Sequence, residues 1–239
     1  MIRQIVLVGM LLAGGMIFGQ ETIAHWDFSK GKIDSMDGNF KMRCRGNTRI
    51  AGPEGKQYLD VGINNKNQPE GIIAQKNYPE LTPKGAFRLE IKARLREQTS
   101  NTNYLVLWDN NFFISLWGPH KNNANAKKGL VVYLIRGKDG KISPYASLGF
   151  GESLDKAYGI PVELEEDQDF TLALEYDGVK KVSFFLNGKL NRAAEVKTGG
   201  ALAEAVYPLV IGDRFGSRYN RFDGQILEVK LTALPSPEK

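Results

Sequence analysis

The sequence is poor in the residues that most often mark a site. One cysteine, Cys44, stands among 239 residues, so no internal disulfide can form and a disulfide-stapled scaffold is excluded. Its setting, KMRCRGN, leads us to expect a small hydrophobe buried in a strand. The two histidines, His25 and His120, are isolated, and with one cysteine they give zinc no ligand spacing. No run of Lys or Arg occurs, and 32 basic against 27 acidic residues leave a net charge of only +5. That excess favours anionic partners mildly and excludes a nucleic-acid footprint. No apolar stretch reaches the ~20 residues of a membrane-spanning helix. A sustained helical period is missing as well.

What the sequence does contain begins with an amino-terminal address. Arg3 precedes the apolar run Ile5 to Phe18, and Gly19 offers a small residue before the polar start at Gln20. This is the pattern of a cleaved signal peptide over residues 1–19, with no membrane anchor once it is removed. Its Phe-Gly-Gln ending resembles signal peptides of Bacteroidetes, which implies a Gram-negative cell and a periplasmic or secreted protein.

Residues 20–239 read as a single domain rich in aromatics, with 12 Phe, nine Tyr and three Trp. Short segments of period two alternate with Gly, Asn and Asp turns, the pattern of antiparallel strands with one buried face. Phe87 to Leu95 is the clearest, with Phe, Leu, Ile, Ala and Leu on one side and Arg88, Glu90, Lys92 and Arg94 on the other. Tyr104 to Trp108 and Phe112 to Trp117 are expected to pair around Asp109-Asn110-Asn111. Gly129 to Arg136 is expected to turn at Gly137-Lys138-Asp139-Gly140, and Phe170 to Tyr176 to pair with Val182 to Leu186 across Asp177-Gly178. Trp26 is assigned to the core, whereas Trp108 shares strand parity with Tyr104 and Val106. These features predict an all-β, two-sheet antiparallel β-sandwich.

The run FTLALEYDGVKKVSFFLNGKL, followed by PLVIGDR and RFDGQILEVKL, resembles the second half of laminin G-like domains. The opening AHWDFSKGKIDSMDGNF is similar to their first strand and loop. The resemblance covers about residues 22 to 232 and implies a concanavalin A-like jelly roll, in which ligands lie across one concave sheet or in the loops at its rim. Such folds host lectins, hydrolases, lyases and non-catalytic modules, so chemistry has to come from residues.

Hydrolysis of a glycoside needs two placed carboxylates. The Glu-x-Asp-x-x-Glu strand of hydrolases in this superfamily is absent here, and the acidic cluster 163–169 reads as a solvated turn. Asp34, Asp37 and Asn39 are candidate hard-oxygen ligands for calcium, with an ordinary Asx turn as the alternative. Leu227 stands where calcium-binding relatives often carry an acid, and no cofactor is expected. The suggestive feature is a pair of loops. One carries Arg214, Arg218, Tyr219 and Arg221; the other carries Trp117, His120 and Asn122. Arginine grips a carboxylate or sulfate bidentately, and aromatic rings stack on sugar faces. The expected partner is therefore an acidic oligosaccharide or polysaccharide, bound by Arg214, Arg218, Arg221, Trp117 and Asn122. The expected reaction is metal-independent β-elimination, in a lyase or oligosaccharide dehydratase, with His120 and Tyr219 as base and acid. A non-catalytic carbohydrate-binding protein and a structural or adhesive envelope protein are the alternatives.

Overall fold

In the computed structural model, which describes residues 20–62, 68–96, 103–111, 124–215 and 221–235, the chain is a sandwich of two antiparallel sheets. In chain order the strands are β1 (Glu21–Asp27), β2 (Met42–Cys44), β3 (Arg49–Ala51), β4 (Tyr58–Val61) and β5 (Ile72–Ala74). Then come β6 (Phe87–Leu95), β7 (Tyr104–Asp109), β8 (Lys128–Arg136), β9 (Ile142–Phe150) and β10 (Leu154–Tyr158). The last five are β11 (Asp169–Tyr176), β12 (Lys181–Leu186), β13 (Lys189–Glu195), β14 (Val210–Ile211) and β15 (Gly224–Ala233). Sheet A runs β13-β12-β11-β6-β15-β4-β3, with β1 also on β15; sheet B runs β10-β9-β8-β7-β14-β5-β2. Consecutive strands pair along β7–β10, β11–β13 and β3–β4, while β6, β14 and β15 pair with strands far away in sequence, as a jelly roll requires.

Period-two patterning explains sheet A. Phe87, Leu89, Ile91, Ala93 and Leu95 are all buried, and opposite them in register lie Tyr176, Leu174, Leu172 and Phe170 of β11. The β11–β12 hairpin closes on one carboxylate: Asp177 Oδ1 accepts the N–H groups of Val179, Lys180 and Lys181. Gly178 takes φ +78°, a region closed to most L-residues. The outer face of sheet A is a solvated lattice of opposite charges. Arg88 reaches Glu90 and Glu175, each at 2.6 Å, and lies over the Phe185 ring. On the same sheet His25 Nε2 lies 2.7 Å from Glu228 Oε1.

Trp26 ties the sheets together. It is fully buried, meets Trp108 of sheet B edge-on at 6.1 Å, and lies 6.0 Å from Phe40. Register shifts in β7 and β15 break the alternation that simple parity demands. In β7 the register shifts between Val106 and Trp108, so Leu105, Leu107 and Trp108 all enter the main core. Trp108 is therefore opposite to Tyr104 and Val106, contrary to the parity reading, because a bulge adds one residue to the strand. In β15 a shift between Ile226 and Glu228 lets Ile226 and Val229 both face inward, leaving Leu227 as the bulge residue.

Three further expectations change. The partners of β7 are β8 and β14; residues 112–117, expected to pair with it, lie outside the described residues. Cys44 is exposed, not buried, because β2 is the edge strand of sheet B. Finally β9 and β10, unmarked in the sequence by a clean alternation, each join sheet B, and they carry much of the site described next.

Candidate functional site

Sheet B presents a second face, turned away from the core. Cross-strand pairing sets Tyr158 of β10 against Tyr145 of β9, Tyr145 against Tyr133 of β8, and Tyr133 against Val106 of β7. An isolated parallel bridge then sets Val106 beside Arg221. Three tyrosines from three strands thus form one row. The ring centroids are 4.7 Å apart for Tyr145–Tyr158 and 4.3 Å for Tyr133–Tyr145, and Tyr104 adds a fourth ring 5.8 Å from Tyr133. Val106, Val131, Tyr133 and Tyr145 form an apolar cluster separate from the main core, as expected for side chains on the other side of the same sheet.

Exposure divides the row. Tyr133 and Tyr145 are only 6% and 3% exposed, whereas Tyr104 and Tyr158 expose 47% and 49%. Burial pushes both inner phenols above the ordinary tyrosine range. For Tyr133 the nearby Tyr145 and Tyr104 add to that effect, and Arg214 opposes it. For Tyr145 burial is again the main cause, with Tyr158 adding to it and Ser147 working against it. The inner phenols stay protonated at neutral pH and act as hydrogen-bond donors, not bases.

Beside the row lies a buried ionic cluster, assembled from four separate chain segments. Asp213 accepts the Glu70 N–H at 2.8 Å and the Arg214 N–H at 2.7 Å, and lies 3.9 Å from Arg45 Nη2. Arg45 also donates to the Arg214 carbonyl. Glu70, itself fully buried, accepts from Asn47 N–H and from the Thr48 hydroxyl, which in turn accepts the Gly71 N–H. Asp109 accepts the N–H groups of Asn111 and Phe215, so it holds the segment 213–215 across the sheet. Asp109-Asn110-Asn111 thus forms a buried polar knot, and Asn110 bonds Leu81 and Leu130 backbone. Burial pushes Asp213 up to about 6 despite the two N–H bonds and Arg45. Burial likewise holds Arg45 and Arg214 below the ordinary arginine range, against the pull of Asp213 and Asp109. Desolvation outweighs attraction on both sides of this cluster.

Of the residues singled out from sequence, Arg214 and Arg221 are placed at this face. Arg214 is half-buried, and its charge is felt by Tyr133, Tyr104, Asp109 and Asp213. Arg221 is 3% exposed beside Val106, so it packs into the face where a solvent-facing grip was expected. Trp117, His120, Asn122, Arg218 and Tyr219 lie outside the described residues. Asp34 and Asp37 spend their oxygens locally. Asp34 accepts from Met42 N–H and Lys41, and Asp37 from Ser35, Asn39 N–H and the Asn39 amide. For each, burial works upward but these bonds win and hold the carboxyl below its ordinary value. The Asn39 N–H bond to Asp37, two residues back, is that of an Asx turn, and Asp34 instead ties the loop to Lys41 and Met42. Among the described residues no three His, Cys, Asp or Glu are grouped to hold a metal ion.

No family model and no curated protein matches the chain. Solved structures do. Domain 4 of AbnA, a GH43 extracellular arabinanase from Geobacillus stearothermophilus, in complex with arabinotriose, aligns over 90% of this chain and 93% of its own, at 15% identity and TM-score 0.59. The binding domain of botulinum neurotoxin DC, in complex with rat synaptotagmin II, aligns over 88% of this chain at 14% identity and TM-score 0.62. A structure of botulinum neurotoxin type C, described as dependent on two ganglioside molecules for cell entry, gives 12% identity and TM-score 0.62. The alignment spans about half of each neurotoxin chain, 48% and 47%. The fold is the concanavalin A-like jelly roll. In this jelly roll the tyrosine row crosses β10, β9 and β8 of sheet B, and the ionic cluster lies where β14 ends and β5 begins.

The row was missed in the sequence, although each tyrosine is plainly visible there. Tyr133, Tyr145 and Tyr158 are 12 and 13 residues apart, and no local period relates them. They become neighbours through the β8–β9 and β9–β10 registers alone.

Proposed function

We propose that this protein binds carbohydrate on the outer face of sheet B, with acidic (uronate or sulfated) glycans as its preferred ligands. The observation that carries the reading is the tyrosine row, half-exposed at Tyr104 and Tyr158 and flanked by Arg214. Sugar rings present apolar C–H faces that suit aromatic side chains, and the phenols supply donors for their oxygens. Ligands named for the similar structures, arabinotriose and gangliosides, belong to the same chemical class. Arg214 and the net charge of +5 support the preference for anions.

Calorimetric titration with uronate, sulfated and neutral oligosaccharides, at low and high ionic strength, tests this. The expected result is tighter binding of the charged sugars, weakening as salt rises. Equal affinity for neutral oligosaccharides at every salt would remove the acidic preference. No binding of any glycan would remove the reading itself. The finer proposal of β-elimination, with His120 and Tyr219 as base and acid, is followed in the same mixtures. A C4–C5 double bond conjugated to the uronate carboxylate absorbs in the ultraviolet, and a flat trace on every uronate overturns elimination. The reading also takes residues 1–19 as an export signal. Mass analysis of the purified envelope protein is expected to find Gln20 at its start, and an intact Met1 would contradict export.

A further inference from the structure

The positive charge of the chain is unevenly spread. Residues 30–56 hold seven of its 32 basic residues but only three of its 27 acidic ones, which leaves the remainder nearly neutral. This segment builds one side of the sandwich. β2 is the edge strand of sheet B, β3 is the edge strand of sheet A, and residues 45–48 pass between them. Lys41, Arg43 and Arg45 alternate with Met42 and Cys44. Arg43 pairs in register with Ile73, which is outside the main core, whereas Met42 lies within it. The three cations therefore share the outer face of sheet B, about 7 Å apart along the strand. Arg49 lies across from Asp60 on the outer face of sheet A, since the next pair, Ile50 and Leu59, packs in the core.

These charges are not equally available. Lys41 is matched by Asp34 at 3.0 Å, and Arg45 lies 3.9 Å from Asp213. Arg43 and Arg49 are exposed, as are Lys32 and Lys56, and none of the four has an acid within ion-pair reach among the described residues. Asp60, across from Arg49, is taken by Arg96. The rim is also held firmly from beneath. Buried Glu70 accepts the Asn47 N–H at 3.1 Å and the Thr48 hydroxyl at 2.9 Å, and the Thr48 N–H closes the turn on the Arg45 carbonyl.

We propose that this rim holds an acidic polysaccharide by its carboxylate or sulfate groups, with Arg43 and Arg49 as the principal contacts. The inference rests on the carbohydrate reading above and locates its preference for anions. The planar fork of arginine matches either anion bidentately, and a rim already fixed in place loses little freedom on binding. Arg45 and Arg214, half-buried, share their charge with Asp213 and Asp109. A lipid surface suits the rim less well, because residues 41–57 expose no large hydrophobic side chain that could enter a bilayer.

The test compares two double variants of equal charge. Arg43→Gln with Arg49→Gln alters the rim; Lys138→Gln with Lys189→Gln removes two exposed cations from a turn and from β13, an edge strand on the opposite side. The rim variant is expected to bind a sulfated polysaccharide roughly 10²-fold more weakly at low salt, with a shallower salt dependence, and the control is expected to stay close to the wild type. Equal losses in both would reduce the effect to net charge and overturn the rim, as would an unaffected rim variant. Neutral oligosaccharides report the carbohydrate reading by itself: their binding should be the same in both variants, and failure of the wild type to bind any glycan would overturn that reading. Vesicles containing an anionic lipid form a further arm, and tighter rim-dependent binding to them than to the polysaccharide would overturn the choice of a glycan. Cys44, exposed between Arg43 and Arg45 and the only thiol of the chain, gives a local readout. The polysaccharide should slow its alkylation by neutral iodoacetamide several-fold, and high salt should restore the rate; an unchanged rate in a saturated complex would overturn the placement.

Discussion

Replacing Tyr104 and Tyr158 together by alanine is expected to weaken glycan binding roughly 10²-fold, at about 1.4 kcal/mol for each stacking ring removed. Both rings are about half exposed, so the fold should tolerate their loss with little change in Tm. The inner pair makes a poor probe. Tyr133 and Tyr145 are almost fully buried, and truncating either would cost about 3 kcal/mol or more of stability and confuse folding with binding. Tyr104→Phe and Tyr158→Phe refine the result, because they keep the ring and remove only the hydroxyl. Retained affinity in these variants would assign the effect to stacking, and a loss equal to that of alanine would assign it to the hydroxyl. Unchanged affinity in the double alanine variant would remove the row from the binding site.

The second large effect is one of pH. Asp213 is pushed up to about 6 by burial, against an ordinary carboxylate value of 3.8. A raised folded-state value means that the folded protein holds this proton more tightly than the unfolded chain does. Its stabilising contribution is therefore complete below about pH 4 and is lost as pH rises through about 6. A shift of this size corresponds to about 3 kcal/mol across that window. Asp213→Asn is neutral at every pH and removes the dependence. Denaturant unfolding of both proteins should show the variant gaining on the wild type by about 3 kcal/mol between pH 4 and pH 7. The absolute stability of the variant is a separate matter, since one amide oxygen cannot accept both the Glu70 and the Arg214 N–H as the carboxylate does. The test is the slope of the difference; parallel profiles would show that Asp213 ionises normally. Asp34 and Asp37, held below the ordinary value, act in the opposite sense and cancel in the comparison.

Local chemistry wrote much of the fold into the sequence in readable form. The alternation of β6, the Asp177-Gly178 turn and the turn at Gly137 to Gly140 are properties of a few adjacent residues, and the structure contains each of them. Strand parity failed where bulges intervene. A bulge changes the face of every later residue without changing composition, which is why Trp108 does not share the face of Tyr104 and Val106 that its parity implies. The exposed position of Cys44 follows from β2 being at an edge, and edges depend on sheet order, to which no local signal points.

The site divides along the same line. Arg214 and Arg221 stood out because they lie in one basic and aromatic stretch of sequence. Their burial against Asp109, Asp213 and Val106 depends on residues up to about a hundred positions away. Asp109-Asn110-Asn111 has the composition of a solvent turn, yet it is buried because Leu81, Leu130 and Lys128 supply backbone partners from two other segments. The sequence by itself determined an all-β sandwich, its main hairpins and a core rich in Phe, Leu and Ile, since period and turn chemistry act over a few residues. Tertiary structure alone decided the tyrosine row and the burial of Arg214 and Arg221 beside it, because side chains on different strands share a face only when strand order and register bring them there.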